Sequence, residues 1–91
     1  MFRVDIDLLH EGPDDKRYYE ARVELPFAPY DGLTLTLCGC CYPGITLKGV
    51  VWCHAEGKFA ASASDKTTSR EIYEAMARHY PDIGFRESEH Q

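Results

Sequence analysis

The sequence lacks the segments by which membrane and secreted proteins are recognised. No run of side chains approaches the ~20 consecutive apolar residues that a membrane-spanning helix needs. Residues 1–7 alternate polar with apolar side chains, so they lack the unbroken apolar core of a signal peptide. We therefore expect no membrane association and a cytoplasmic location, where cysteine thiols stay reduced and do not form disulfides.

Positive charge of the kind that follows a phosphate backbone is also missing. The chain has 10 Lys and Arg against 15 Asp and Glu, for a net charge of −5. The basic residues are scattered, and the adjacent pair Lys16 and Arg17 follows two aspartates. Because nucleic-acid binding relies on a basic patch or stripe, we do not expect a nucleic-acid partner.

Motifs that carry enzyme chemistry are absent from the sequence as well. It contains no glycine-rich phosphate loop, no Ser-His-Asp signature and no metal-binding helix, and its carboxylates do not form a spaced catalytic pair. These absences favour a protein that is not an enzyme and that has no cofactor and no metal.

The length of the chain bounds its organisation. Its 91 residues suffice for one domain, which we place at residues 1–86, and the polar residues 87–91 are predicted to fray. A domain of this size buries only somewhat over ~60% of the surface that its unfolded chain exposes. Because a single helix covers one face of a sheet, a partner subunit would cover the other face, and we expect a homodimer.

Strict alternation of polar and apolar residues predicts the first two strands. Residues 2–8 and 17–25 alternate in this way, and a Gly-Pro-Asp-Asp turn separates them. His10 lies in the predicted turn segment, whose acidic residues could hold a cation but are also ordinary turn residues. The apolar faces and opposed charges favour one register, which pairs Leu8 with Tyr19, Ile6 with Ala21, Val4 with Val23, Phe2 with Leu25, Asp5 with Arg22 and Arg3 with Glu24.

The stretch from Leu33 to His54 contains all four cysteines and the only tryptophan. Alternating leucines predict a third strand from residue 33 to 37. A fourth strand is predicted from Ile45 to His54, after a turn at Pro43–Gly44. Residues 50–53 are apolar on both sides of that strand, which predicts a central position in the sheet with both faces covered.

The remaining residues predict one weak strand and one helix. A two-residue hairpin turn within residues 55–58 leads into a fifth strand at 59–63, which is weak because Ala and Ser have poor strand preference. The helix is predicted from Ser69 to Tyr80, and residues 83–86 are a candidate last strand. This order predicts an α+β fold with a mainly antiparallel sheet of five or six strands, in the order β-β-β-β-β-α-β, and one helix packed on one face.

The helix carries its own start signal and apolar stripe. Thr68 is predicted as its N-cap, with Glu71 completing a capping box. Ile72 and Met76 recur at helical spacing and are predicted to face the sheet.

Thiol or metal chemistry is the alternative interpretation of the central stretch. Its candidate residues are Cys38, Cys40, Cys41, Cys53 and His54. Their spacing does not match a structural zinc site, and neighbouring residues of a strand point to opposite faces. Cys40 and Cys41 beside the turn are the candidate reactive thiols, with His54 as a possible base. On this alternative the protein is a small cysteine-dependent enzyme, a redox sensor or a metal-binding protein.

Aromatic residues give the leading hypothesis for function. Phe27, Tyr30 and Tyr42 lie in predicted loops and turns, and Trp52 lies in the fourth strand. Tyr and Trp are enriched at protein interfaces. We therefore expect a non-enzymatic binding module that self-associates or binds another protein. A third hypothesis is a pocket for a small apolar ligand between helix and sheet, lined by Ala60, Ala61, Met76 and Trp52.

Overall fold

The computed structural model of this chain describes residues 1–36 and 44–88. Within these ranges the fold is α+β, with a mostly antiparallel sheet that contains one parallel pair and with one helix. The elements are β1 (Phe2–Glu11), β2 (Lys16–Leu25), β3 (Thr34–Leu35), β4 (Ile45–Thr46), β5 (Lys48–Cys53), β6 (Lys58–Lys66), α1 (Arg70–His79), a 3-10 turn (Tyr80–Ile83) and β7 (Arg86–Ser88).

The first hairpin is the centre of the main sheet, whose strand order is β5-β6-β1-β2-β7. β1 and β2 pair antiparallel in the predicted register, with Leu8 opposite Tyr19 and Asp5 opposite Arg22. Val4, Ile6 and Leu8 are buried on one face. The predicted register is therefore confirmed. A shift by one residue would turn all three apolar side chains toward the other face, so burial of this face fixes the register.

The parallel pair joins β1 to β6, with Ile6 opposite Ala61 and Leu8 opposite Ala63. The fifth strand predicted at 59–63 is confirmed, but β6 runs through nine residues and lies inside the sheet, so it is longer than predicted and is not a weak element. Ala61 and Ala63 are buried against the core. Position between two strands outweighs the poor intrinsic strand preference of alanine and serine, since that preference depends on context.

The predicted third and fourth strands do not form the centre of the sheet. β3 and β4 are two residues each and pair only with one another in a separate small sheet. β5 is an edge strand of the main sheet, and Val51 and Trp52 are half-exposed. Apolar residues on both sides of this strand therefore mark an exposed edge and not a covered centre. Residues 37–43, which include the predicted Pro43 turn, lie outside the described residues.

A bulge lies within the first half of β5. The register between β5 and β6 shifts between Lys48 and Val51, and Gly49 has a φ of 64°. This left-handed conformation favours glycine, because a β-carbon would be strained there. After β5, Cys53 pairs with Lys58, so the loop has four residues (54–57) and not two as predicted.

The helix begins one residue later than its predicted capping box implies. Ser69 is the N-cap, and its side chain accepts a hydrogen bond from the Ile72 N–H at 3.3 Å. Tyr73 and Ala77 are the buried residues of α1, whereas Ile72 is 51% exposed, so the prediction that Ile72 faces the sheet was wrong.

Tyr73 can pack closely because Gly12 has no side chain. A β-carbon at Gly12 would lie 2.7 Å from the Tyr73 ring. After α1, the 3-10 turn contains Pro81, and β7 then pairs with β2 antiparallel. The candidate last strand therefore exists but begins at Arg86, and it reaches Ser88, inside the predicted polar tail.

One core lies on the helix side of the sheet. Its buried residues come from the main sheet, from the small sheet and its flank, and from the helical segment: Val4, Ile6, Leu8, Tyr19, Leu25, Leu35, Leu47, Ala61, Ala63, Tyr80 and Phe85. Leu35 and Leu47 bring the small sheet against the same face that α1 covers. The helix and the small sheet thus share the covering of one face.

The cap assignment gives a first prediction. Ser69→Ala should lower the free energy of unfolding by about 1 kcal/mol, because the Ile72 N–H loses its acceptor. Thr68→Ala is the matched control and should change stability much less. Urea unfolding followed by circular dichroism measures both. An equal loss in the two variants would show that the capping box begins at Thr68.

Candidate functional site

The described residues place three of the four predicted binding residues at the surface. Phe27 is 46% exposed, Tyr30 57% and Trp52 51%. Tyr42 lies outside the described residues. Exposure alone does not join these side chains into one surface.

Trp52 belongs to a row of aromatic rings that runs from the edge strand β5 across β6 to the start of β1. Its ring meets Phe59 edge-to-face at a centroid distance of 4.9 Å, and Phe59 meets Phe2 at 6.0 Å. Val51, the neighbour of Trp52 on the opposite face, is 57% exposed. We call this region, with Phe2, Tyr30, Val51, Trp52 and Phe59, the aromatic edge.

The residues that follow Tyr30 contact the chain at the start of β5. The Val50 N–H donates to Oδ1 of Asp31 at 2.8 Å, and the Gly32 N–H donates to the Leu47 carbonyl at 2.8 Å. The loop that follows Tyr30 therefore lies beside the start of β5, and Asp31 satisfies an N–H near the bulge. Within residues 1–36 and 44–88, no strand other than β6 pairs with β5.

The face of the main sheet opposite the helix is polar. Asp5 is at the centre of its charge network: it accepts from Arg3 at 3.5 Å, from Arg22 at 3.3 Å and from Lys58. Burial alone would raise the pKa of Asp5, but hydrogen bonds from Lys58 and Arg3 outweigh burial and hold that pKa below its ordinary value of 3.8. Lys58 also bonds Glu56 at 2.9 Å.

A shallow depression of about 620 Å³ lies beside this network. Asp7 and Glu20 face each other across β1 and β2, and Arg86 bonds Glu20. In the part of the chain that the structure describes, no side chain bonds Asp7. The face is thus solvated and charged, and it is unlike the apolar surface that a dimer would have to cover.

The thiol and metal candidates are only partly described. Cys53 is half-buried and His54 is exposed at the end of β5, whereas Cys38, Cys40 and Cys41 lie outside the described residues. Among residues 1–36 and 44–88, no three His, Cys, Asp or Glu side chains form a group that could hold a metal ion.

The proposed apolar pocket has its four residues on different sides of the sheet. Ala60 lines the depression on the polar face, whereas Ala61 is buried in the core on the helix side. Neighbouring residues in a strand point to opposite faces, so these two cannot line one pocket.

A buried histidine is the feature that the sequence reasoning missed. His10 belongs to β1 and not to a turn, and it is fully buried. Its Nδ1 lies 3.2 Å from Asp65 Oδ2, and its Nε2 lies 3.0 Å from the Tyr73 carbonyl oxygen. The signal was present, because His10 continues the alternation of Val4, Ile6 and Leu8, but the apolar Leu9 ended the predicted strand too early.

Comparisons with protein-family models, curated proteins and solved structures found no match. In the described residues, no helix has the length and apolar character needed to cross a membrane.

The lowered pKa of Asp5 gives a second prediction. Its carboxylate stabilises the fold above the ordinary carboxyl pKa, and this contribution is lost as the pH falls toward the lower pKa of the folded chain. Asp5→Asn should therefore lower the free energy of unfolding at pH 7, and the difference from the wild type should shrink as the pH falls to 3.

Urea unfolding across this pH range measures the effect. Asp7→Asn is the matched control, and it should not destabilise the chain at pH 7, because it removes one carboxylate of the facing pair with Glu20. A gap between wild type and Asp5→Asn that stays constant from pH 7 to pH 3 would contradict the assignment.

Proposed function

We propose that this chain is a small, non-enzymatic interaction module that self-associates through the aromatic edge. The observation that carries the proposal is Trp52, which is half-exposed on an edge strand beside the exposed Val51. An edge strand offers main-chain groups to a further strand, and Trp and Tyr are the residues that most often dominate interface energies.

The chemistry of the aromatic edge favours a second copy as the partner. Val51 and Trp52 lie on opposite faces of β5, so a strand added beside them has to be apolar on both faces. β5 itself meets this requirement. Two copies related by a two-fold axis would pair their β5 strands antiparallel, with the same patch used on both sides.

Charge at the ends of the strand supports the same arrangement. Lys48 and Glu56 lie four residues before and four residues after Trp52. A two-fold axis at Trp52 would bring each lysine toward the glutamate of the second copy. The loop after Tyr30 already lies beside the start of β5, so the added pairing would be confined to residues 51–53.

The exposed area sets the strength of this association. Four apolar side chains of the aromatic edge are between 41% and 57% exposed: Phe2, Tyr30, Val51 and Trp52. At about half of the area that large side chains can bury, they present on the order of 400 Å² per copy. Two copies would bury about 800 Å² from these side chains, which is below the ~1,200 Å² at which standard specific interfaces begin and is in the range of weak, transient ones. We therefore expect a reversible dimer with a dissociation constant in the ~micromolar range.

Sedimentation velocity over a hundredfold range of concentration tests the proposal. Val51→Lys places a charge in the interface and should weaken self-association by about 30-fold or more, as expected for a central interface position. Ile72→Lys is the matched control: Ile72 is similarly exposed but lies on α1, and this variant should dimerise like the wild type.

Three outcomes decide between the partners. A monomer at every concentration would overturn self-association. Equal weakening by the Val51 and Ile72 variants would place the interface elsewhere. A wild-type monomer that binds another protein through Val51 would support the interaction module with a different partner.

Thiol chemistry is the alternative function that we propose to test. The adjacent Cys53 and exposed His54 at the end of β5 motivate it. If the chain is a binding module, brief treatment with iodoacetamide at neutral pH should label no cysteine selectively, because reactive thiols need a lowered pKa and exposure. Rapid labelling of one cysteine, read by intact mass and peptide mapping, would favour the thiol function instead.

A further inference from the structure

His10 lies where the strands β1 and β6 meet the helical segment. It is fully buried, and both of its ring nitrogens face oxygen atoms that accept hydrogen bonds. Nε2 is 3.0 Å from the main-chain carbonyl of Tyr73 in α1. Nδ1 is 3.2 Å from the carboxylate of Asp65 in β6.

These contacts constrain the protons on the ring. A main-chain carbonyl can only accept, so Nε2 must carry a hydrogen to bond it. The Tyr80 hydroxyl donates to Oδ2 of Asp65 at 2.6 Å, which leaves Oδ2 as an acceptor on the side of Nδ1 as well. A neutral imidazole carries one hydrogen, so either tautomer leaves one nitrogen lone pair facing an oxygen.

We propose that His10, Asp65, Tyr73 and Tyr80 form a proton-dependent latch that holds α1 and the 3-10 turn on the sheet. With a proton shared between Nδ1 and Asp65, both ring nitrogens of His10 donate to an oxygen atom. Without that proton, one bond is replaced by the repulsion of two lone pairs in a buried site. This inference is independent of the proposed self-association, because none of the four residues belongs to the aromatic edge.

Among the residues that the structure describes, Asp65 is the only anion bonded to the His10 ring. The rings of Tyr73, Tyr80 and Tyr19 pack on it, with Tyr73 stacked at a centroid distance of 4.4 Å. Burial raises the pKa of Tyr73, so its hydroxyl stays neutral near neutral pH. Arg17 pairs with His10 across β1 and β2, and its positive charge disfavours a protonated imidazole.

Neighbouring acidic groups neutralise the cations around the latch. Arg17 pairs with Glu74 of α1 at 3.7 Å. The guanidinium carbon of Arg70 lies 5.7 Å from the centroid of the Tyr73 ring, and Arg70 bonds Asp14 and Glu74. Asp65 therefore remains the anion in direct contact with His10, and its negative charge favours the protonated ring.

The direction of the pH effect follows from this arrangement. An unfolded histidine loses its proton near pH ~6.5. The latch therefore contributes stability below that pH, and the contribution is lost as the pH rises and the folded chain releases its proton. One proton released on unfolding changes the folding equilibrium constant by about tenfold per pH unit over this range.

Nitrogen-15 NMR of the histidine rings in the full chain tests the latch directly. At pH 7, both ring nitrogens of His10 should carry a hydrogen. Asp65→Asn should leave Nδ1 of His10 without a hydrogen at pH 7. A neutral His10 at pH 7 in the wild type would overturn the proposal.

Unfolding at several pH values supplies the second measurement. Between pH 6 and pH 8, the folding constant of the wild type should fall by up to about tenfold per pH unit relative to His10→Gln. His54→Gln, the matched control, should keep the wild-type slope. Identical slopes for wild type and His10→Gln would also overturn the latch. If His10→Gln does not fold, the ring spectra of the wild type decide alone.

Discussion

The fold depends on the pairing of β1 with a strand on each of its edges. β2 pairs with it antiparallel and β6 pairs with it in parallel, so the main-chain groups of the central strand are used on both sides. Its apolar side chains Val4, Ile6 and Leu8 then form the floor of the core. Every other element either extends this sheet or covers that floor. The two functional proposals lie at opposite ends of this arrangement, with the latch at the end of β1 and the aromatic edge on β5.

Much of the local structure could be predicted because short-range patterns of residues determine it. Alternation and opposed charges gave the register of β1 and β2, and the helix was placed to within a residue at each end. The contacts that went unpredicted are long-range. A parallel pairing between residues about 55 positions apart, as between Ile6 and Ala61, leaves no local signal. The burial of His10 was missed because the predicted strand ended before it, and its partners in β6 and α1 are distant in sequence.

The error at β5 has a physical explanation that bears on function. An apolar run on both faces of a strand predicts burial, since exposed apolar area is unfavourable in water. The chain instead places Val51 and Trp52 at an edge, where the Gly49 bulge and the Asp31 carboxylate set the start of the strand. An apolar segment whose pattern predicts burial, but which is exposed in the single chain, is typical of a surface that a partner covers. The candidate site was thus predicted in part, through Trp52 and Tyr30, although the pattern placed Trp52 wrongly in the sheet.

The polar face of the sheet limits the alternatives. Its carboxylates and cations are joined around Asp5, and this charge network keeps the face in water. Association through that face would have to desolvate several ion pairs, which costs more than their attraction returns unless the geometry is very good. The aromatic edge carries no such cost.

Amide hydrogen exchange at Val51, Trp52 and Cys53 tests the central claim, self-association through β5, most directly. The exchange is followed in the wild-type chain at concentrations above and below the dissociation constant. We predict that one or more of these amides exchange slowly at high concentration and quickly after dilution, while the β1 amides stay protected at both. Rates at residues 51–53 that do not change with concentration would contradict the account.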